Sequence, residues 1–203
     1  MKISIGILTG GKSKRMGANK AFLKYNEEKN FLEHALDEAL AVSDDVILSV
    51  DEEGKYINFL KGREKAGLKL VEDERKNYGP LEGLYRILKA AKEDYCFIFA
   101  VDMPYVEKAF VDAFVSYIED AGSFKDIFVV KKGDRSEPLC AIYSKKLIPY
   151  IEEMFEKEEH RLKMLLDTEG LSVESIDINK LGACENIAEN INTPSDYKEL
   201  FLK

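Results

Sequence analysis

The sequence predicts an α/β fold built on a mostly parallel sheet. Short apolar runs of strand length alternate with stretches whose apolar residues recur every three or four positions. That is the pattern of buried strands joined by amphipathic helices. In addition, each of the first four candidate strands is followed at once by glycine-rich or polar sequence, and open α/β sheets bind ligands at the carboxyl ends of their strands. The 203 residues suit one domain, 1–203, with a substantial core.

Taken in order, ISIGIL (3–8) is a continuous apolar run of strand length. FLEHALDEALAV (31–42) sets Phe31, Leu32, Ala35, Leu36, Ala39 and Leu40 at helical spacing. DVILSV (45–50) and KLVED (69–73) read as strands, and LEGLYRILKAAK (81–92) as a helix entered through Gly79-Pro80. CFIFAV (96–101) is the most strand-like run, and AFVDAFVSYIED (109–120) is helical. DIFVVKK (126–132) and LCAIYS (139–144) are strands, residues 146–168 carry two helical patterns, VESIDI (173–178) is a late strand, and 194–203 is a terminal helix.

Composition excludes some classes of function. Thirty Lys and Arg against 38 Asp and Glu give a formal charge of −8. That sign argues against binding to nucleic acid or to an anionic membrane, both of which need a basic face. No apolar stretch approaches the roughly 20 residues that span a bilayer, and MKISIGIL lacks a signal-peptide pattern, so the expected location is the cytoplasm. Cys96, Cys140 and Cys184 are odd in number and scattered, which suits reduced thiols better than disulfides. The two histidines have no metal-ligand spacing: His34 is expected to be partly exposed on its helix, and His160-Arg161 hints weakly at an anion contact.

Against this acidic background, GILTGGKSKRMGANKAFL (6–23) gathers Lys12, Lys14, Arg15 and Lys20 directly after the first strand. Thr9-Gly10-Gly11 lets backbone N–H groups approach an anion unobstructed, Arg15 offers a planar fork for phosphate oxygens, and Lys20 a mobile point charge. The loop fits neither G-x-x-x-x-G-K-[ST] nor G-x-G-x-x-G. Charge alone would equally describe a solvated basic loop; its place after a buried strand favours a site, with Lys12 and Lys14 facing solvent. In FAVDMPYV (99–106), Asp102 ends a strand at the carboxyl edge, where it suits a hard cation such as Mg²⁺ or, alternatively, caps the following helix. Asp73, at the end of the third strand, is a candidate contact for a ribose or base, or a loop carboxylate. Arg135 and Glu137 either shape an acceptor pocket or pair at the surface. Asn190 and Asn192, taken singly, read best as capping the helix that starts at Thr193-Pro194.

Taken together, LTGGKSKRMGANKAFL, GPLEG, VDMP, RSEPLCAIY and NINTPSD, in that order over almost the whole chain, resemble the molybdenum cofactor guanylyltransferase family within the nucleotidyltransferases. The opening motif belongs to the larger group; its combination with the others narrows the likeness. The resemblance implies a Rossmann-like three-layer α/β sandwich of the nucleotide-diphospho-sugar transferase type. It also implies transfer of GMP from GTP to the terminal phosphate of molybdopterin or molybdenum-molybdopterin, with Mg²⁺ as cofactor and pyrophosphate released. By matching position, Leu8, Thr9, Gly10, Gly11 and Lys20 would bind the nucleotide, Asp73 would match the nucleotide-contacting acid, and Asp102 would hold Mg²⁺. Arg15, Lys20 and Asp102 would be catalytic, while Arg135, Asn190 and Asn192 are weaker matches on the pterin side. Transient contact with molybdenum-cofactor-carrying proteins follows from the likeness as well.

Three positions depart from the family pattern: Asn19 stands where Asp is frequent, Thr9 where a small residue is usual, and Asp51 where some members have Asn. Two rival readings remain open at this level. One is a CTP-dependent or sugar- or alditol-phosphate nucleotidyltransferase of the same fold; the other is a silent nucleotide-binding regulator.

Overall fold

The computed structural model describes residues 1–10, 19–61, 67–182 and 186–201, apart from the side chain of Glu53. Gly11, Lys12, Lys14, Arg15 and Cys184 of the preceding expectations therefore lie outside the described residues. The chain runs β1 (Ser4–Leu8), α1 (Phe31–Val42), β2 (Val46–Val50), α2 (Glu53–Leu60), β3 (Leu68–Glu72), α3 (Pro80–Ala90), β4 (Tyr95–Ala100), α4 (Lys108–Ala121), β5 (Ile127–Lys132), β6 (Arg135–Ser144), α5 (Ile148–Glu156), β7 (Val173–Asp177) and α6 (Pro194–Leu200). Short 3-10 turns intervene, among them Lys20–Phe22 and Leu162–Asp167; the latter is the second of the two helical patterns expected in 146–168.

The seven strands form one sheet in the order β3-β2-β1-β4-β6-β5-β7. β1 pairs in parallel with β2 and β4, β2 with β3, and β5 with β7. β6 pairs antiparallel with both neighbours, so it alone runs against the rest. The expected mostly parallel sheet is present, and two apolar layers sandwich it. Ile5, Ile7, Val46 and Leu48 face α1 and α4, with Tyr56 of α2 in the same cluster. Leu8, Ile47 and Ile98 face α3 and α5, as strand alternation requires. Among the described residues no helix is long and apolar enough to cross a membrane.

Two features of this topology create the site. β1 sits between β2 and β4, so the chain winds one way from β1 through β2 to β3 and then starts again on the other side with β4. The crevice beyond the carboxyl ends of β1 and β4 is the switch point at which such sheets bind ligands. Second, β6 pairs with β4 only as far as Phe99↔Cys140, while its first residues pair with β5 alone. The register slips between Val129 and Val130, whose partners are Ala141 and Glu137. This bulge leaves the start of β6 paired with β5 alone and re-aims Glu137.

Candidate active site

β1 and β4 are tied together where they end. The Val101 N–H donates to the Leu8 carbonyl at 2.9 Å, and the Met103 N–H to the Ala100 carbonyl at 3.0 Å. This turn presents Asp102 six residues before α4 begins. Asp102 is therefore not a helix cap, since Glu107 occupies that position. Its carbonyl accepts the Ile191 N–H at 2.9 Å. Its carboxylate Oδ2 accepts from Lys20 Nζ at 2.6 Å, and the same ammonium donates to Asn192 Oδ1 at 2.8 Å. The side chains of Lys20 and Asp102 are each only 15 % exposed. Three residues separated by up to 172 positions thus meet over the switch point.

The expectation that Asn192 caps the last helix fails for a local reason. Thr193 takes the cap, in a box with Asp196, whose carboxylate also accepts the Asn192 backbone N–H at 2.8 Å. With the cap filled, the Asn192 side chain is left for Lys20. The neighbouring Asn190 Oδ1 is buried with no hydrogen-bond partner among the described residues.

Two cavities adjoin residues tied to the Lys20–Asp102 pair: Asn192, bonded to Lys20, lines one, and Leu8, whose carbonyl accepts the Val101 N–H, lines the other. The one over β1, β2 and β3 measures ≈ 520 Å³ and is lined by Leu8, Gly10, Ser49, Asp51, Asp73, Gly79 and Gly83 among others. Thr9 is buried beside it, its hydroxyl donating to the Ser49 carbonyl at 2.7 Å. Asp73 accepts from Ser49 Oγ at 3.2 Å, and Lys76 spans the rim, donating to the carbonyls of Asp51 and Asp73. Burial pushes the Asp73 carboxyl up to about 6; the Ser49 hydroxyl opposes that, and the negative charges of Glu82 and Asp51 add to it. Gly83 is dictated by space: a Cβ there would stand 2.5 Å from Leu8 Cδ2 and 2.8 Å from Ser49 Oγ. Only glycine lets the start of α3 approach the strand ends this closely.

The turn that walls this cavity hangs on Glu82, a fully buried carboxylate. Its oxygens accept the N–H groups of Glu74 and Arg75 at 3.0 and 3.3 Å and the Arg75 guanidinium at 3.2 Å. The guanidinium in turn lies over the rings of Phe155 and Tyr85, a cation–π arrangement. Nothing in the sequence singled out Ser49, Glu82 or Arg75, because each acts through a partner distant in the chain or through backbone.

The second cavity, ≈ 440 Å³, lies over β6 and β5 and is lined by Tyr105, Lys132, Arg135, Glu137, Asn190 and Asn192 among others. Arg135 and Glu137 pair at 3.5 Å with Arg135 strongly exposed, as one of the two expectations had it, and both line the cavity. Burial raises the Glu137 carboxyl, Arg135 lowers it, and Asp102 contributes a smaller upward push. His34 corrects another expectation: it is buried, stacked on Tyr25 with its Nε2 3.0 Å from the Pro104 carbonyl, and so buttresses the turn that carries Asp102. His160 and Arg161 are not an anion site, since Arg161 is held by Glu159 and His160 packs edge-on against Tyr78.

The family model for the MobA-like NTP transferase domain matches residues 5–173. The chain belongs to this family. A Clostridium perfringens relative described as a probable molybdenum cofactor guanylyltransferase is 34% identical, covering 100% of this chain and 98% of its own length. One from Methanosarcina mazei with the same description is 31% identical over 96% of this chain and 88% of its own. Among solved structures, molybdopterin-guanine dinucleotide biosynthesis protein A of Archaeoglobus fulgidus matches with a TM-score of 0.79 and 25% identity, over 98% of this chain and 96% of that one. This MobA-like NTP transferase is thus a nucleotidyltransferase, and its Rossmann-like sandwich is the fold of the group.

The donor set of this MobA-like NTP transferase also bears on a metal. Among the described residues no three His, Cys, Asp or Glu side chains cluster as a ready-made cage. Asp102 stands at the switch point as a single hard carboxylate. That fits Mg²⁺, which commonly takes one or two protein carboxylates and completes its shell with substrate phosphates and water.

Proposed function

We propose that the protein transfers GMP from GTP to the terminal phosphate of molybdopterin or molybdenum-molybdopterin, yielding the guanine dinucleotide and pyrophosphate. The observation that carries this reading is the Lys20 ammonium bonded at once to Asp102 and Asn192, with two cavities adjoining residues tied to this pair, one for each substrate. The nucleoside end of GTP takes the cavity over β1–β3 with Asp73 toward base or ribose, and the pterin takes the cavity of Arg135, Asn190 and Asn192. Asn190 Oδ1, buried without a partner among the described residues, is an acceptor suited to a pterin N–H group.

The reacting phosphates then meet over Lys20 and Asp102. An oxygen of the acceptor phosphate forms a bond to the α-phosphorus of GTP as the α–β bridging P–O bond breaks, and its electron pair leaves with pyrophosphate. The nucleophile is already anionic at neutral pH, so no protein base is required. The residues must relieve anion repulsion, align the groups in line and hold the charge that builds on the α-phosphate and leaving group. Lys20, Arg15 and the amides of Gly10 and Gly11 are assigned that work, since the Thr9 N–H already donates to the Ser49 carbonyl at 3.1 Å. Mg²⁺ held by Asp102 would supply Lewis-acid charge stabilisation. The net charge of −8 makes this local cationic set necessary, since the protein's overall field repels both substrates.

Product formation from molybdopterin and Mg²⁺, with GTP and CTP assayed in parallel, tests the reading. Dinucleotide from GTP alone supports it; product from CTP alone keeps the mechanism and overturns the base. Asp73 gives a second check through pH. Burial favours its neutral form, so the carboxylate is present only above about 6. If that carboxylate accepts from the nucleotide, GTP affinity falls about tenfold between pH 7 and pH 5. Asp73→Asn should flatten the profile; a wild-type profile unchanged in that variant would remove Asp73 from the contact set.

A further inference from the structure

α2 bears on the site through one residue. Tyr56 is fully buried, and of the side chains described on this helix it reaches deepest. Asn19 Nδ2 donates to its hydroxyl at 3.1 Å. Asn19 immediately precedes Lys20 and caps the Lys20–Phe22 turn.

The bonds have a fixed direction. Asn19 Oδ1 accepts the Ala21 backbone N–H at 3.0 Å, and a backbone amide can only donate, so the Asn19 nitrogen must face Tyr56. The phenol therefore receives from Asn19. Asp at position 19 would present the phenol with an acceptor in place of this donor. Asn19 is also a position of the opening motif at which this chain departs from the pattern it resembles. Packing reinforces the arrangement: Phe22, at the end of the turn that Asn19 caps, lies with its ring centroid 5.4 Å from Tyr56 and 5.3 Å from Phe59.

We propose that the Tyr56 hydroxyl is a positioning group that ties Asn19 to α2, orients the cap of the Lys20–Phe22 turn and thereby holds the Lys20 ammonium at Asp102. The inference rests on the role given to Lys20 above. Tyr56 touches no reacting atom; it acts through Asn19 on Lys20.

Tyr56→Phe removes the hydroxyl and keeps the ring in its packed place. Amide hydrogen exchange at Ala21 should quicken about fivefold, with β4 and α4 unchanged, as expected for one buried hydrogen bond. The kcat/KM for GTP should fall by a similar factor of about 5 in the unmodified background and show no further fall in a Lys20→Ala background. An Ala21 rate equal to that of the unmodified protein overturns the proposal, as does an equal loss of kcat/KM in both backgrounds. The exchange measurement needs no nucleotide. Quickened exchange in a protein that turns over no GTP would uphold the tie and reject only the GTP reading.

Discussion

Asp102→Ala is expected to lower kcat by about a thousandfold or more at saturating GTP and Mg²⁺, the loss typical when a principal source of transition-state charge stabilisation is removed. The size follows from how little else is available. Among the described residues no cluster of three potential metal ligands exists, and Asp102 is the carboxylate paired with Lys20 at the switch point. Glu137 is near enough to influence others electrostatically, but it is engaged with Arg135 and burial already disfavours its charge, so it is a poor substitute. Metal-free nucleotide binding should change only a few-fold, because the cavity over β1–β3 is lined by Leu8, Gly10, Ser49 and Asp73 and not by Asp102. Asp102→Asn separates charge from shape: it can still accept from Lys20, and its turnover should be nearly as poor as that of Asp102→Ala. Turnover in either variant within a few-fold of the unmodified protein would remove Asp102 from the metal site.

How far the sequence could be read depended on where each signal was stored. α1 was legible to its ends because its information is local: a continuous apolar stripe, and an Asn30–Glu33 capping box at the start. The strands were legible because burial on both faces leaves unbroken apolar runs. α2 was missed for the opposite reason, since its burial rests on Tyr56 and it leaves Ile57 half exposed, which makes no stripe. The first residues of β6 were hidden by the polar Arg135, Ser136 and Glu137, of which Arg135 and Glu137 line the cavity over β5 and β6. That Asp73 would line a cavity and Asp102 stand at the sheet edge was legible because residues just after parallel strands converge by topology. The bond from Lys20 to Asn192 was not legible, because Asn190, Asn192 and Thr193 all lie close enough to compete for one helix cap, and only the folded end of the chain decides which side chain is left for Lys20.

Lys20→Ala should produce two changes of opposite sign, and the pair is more informative than either. The first is a fall of about a hundredfold or more in kcat/KM for GTP, the scale of losing one preorganised cation from a phosphoryl-transfer site. Lys20→Arg should recover little of it. The ammonium makes its contacts to Asp102 and Asn192 from one point, and a planar guanidinium cannot place donors in the same two directions from that point. The second change is a gain. In the ligand-free protein a divalent cation held by Asp102 would have to compete with Lys20 for the same carboxylate, because Oδ2 of Asp102 already lies 2.6 Å from Nζ. Removing the ammonium removes both the competitor and a like charge a few ångströms away, so Mn²⁺, as a spectroscopic stand-in, should bind the ligand-free variant about tenfold more tightly. A variant that had merely lost its fold would lose metal affinity together with activity. Turnover falling while metal affinity rises therefore identifies Lys20 as a group that leaves Asp102 when the substrates arrive. Unchanged Mn²⁺ affinity in a folded variant would mean that the metal and Lys20 do not share that oxygen.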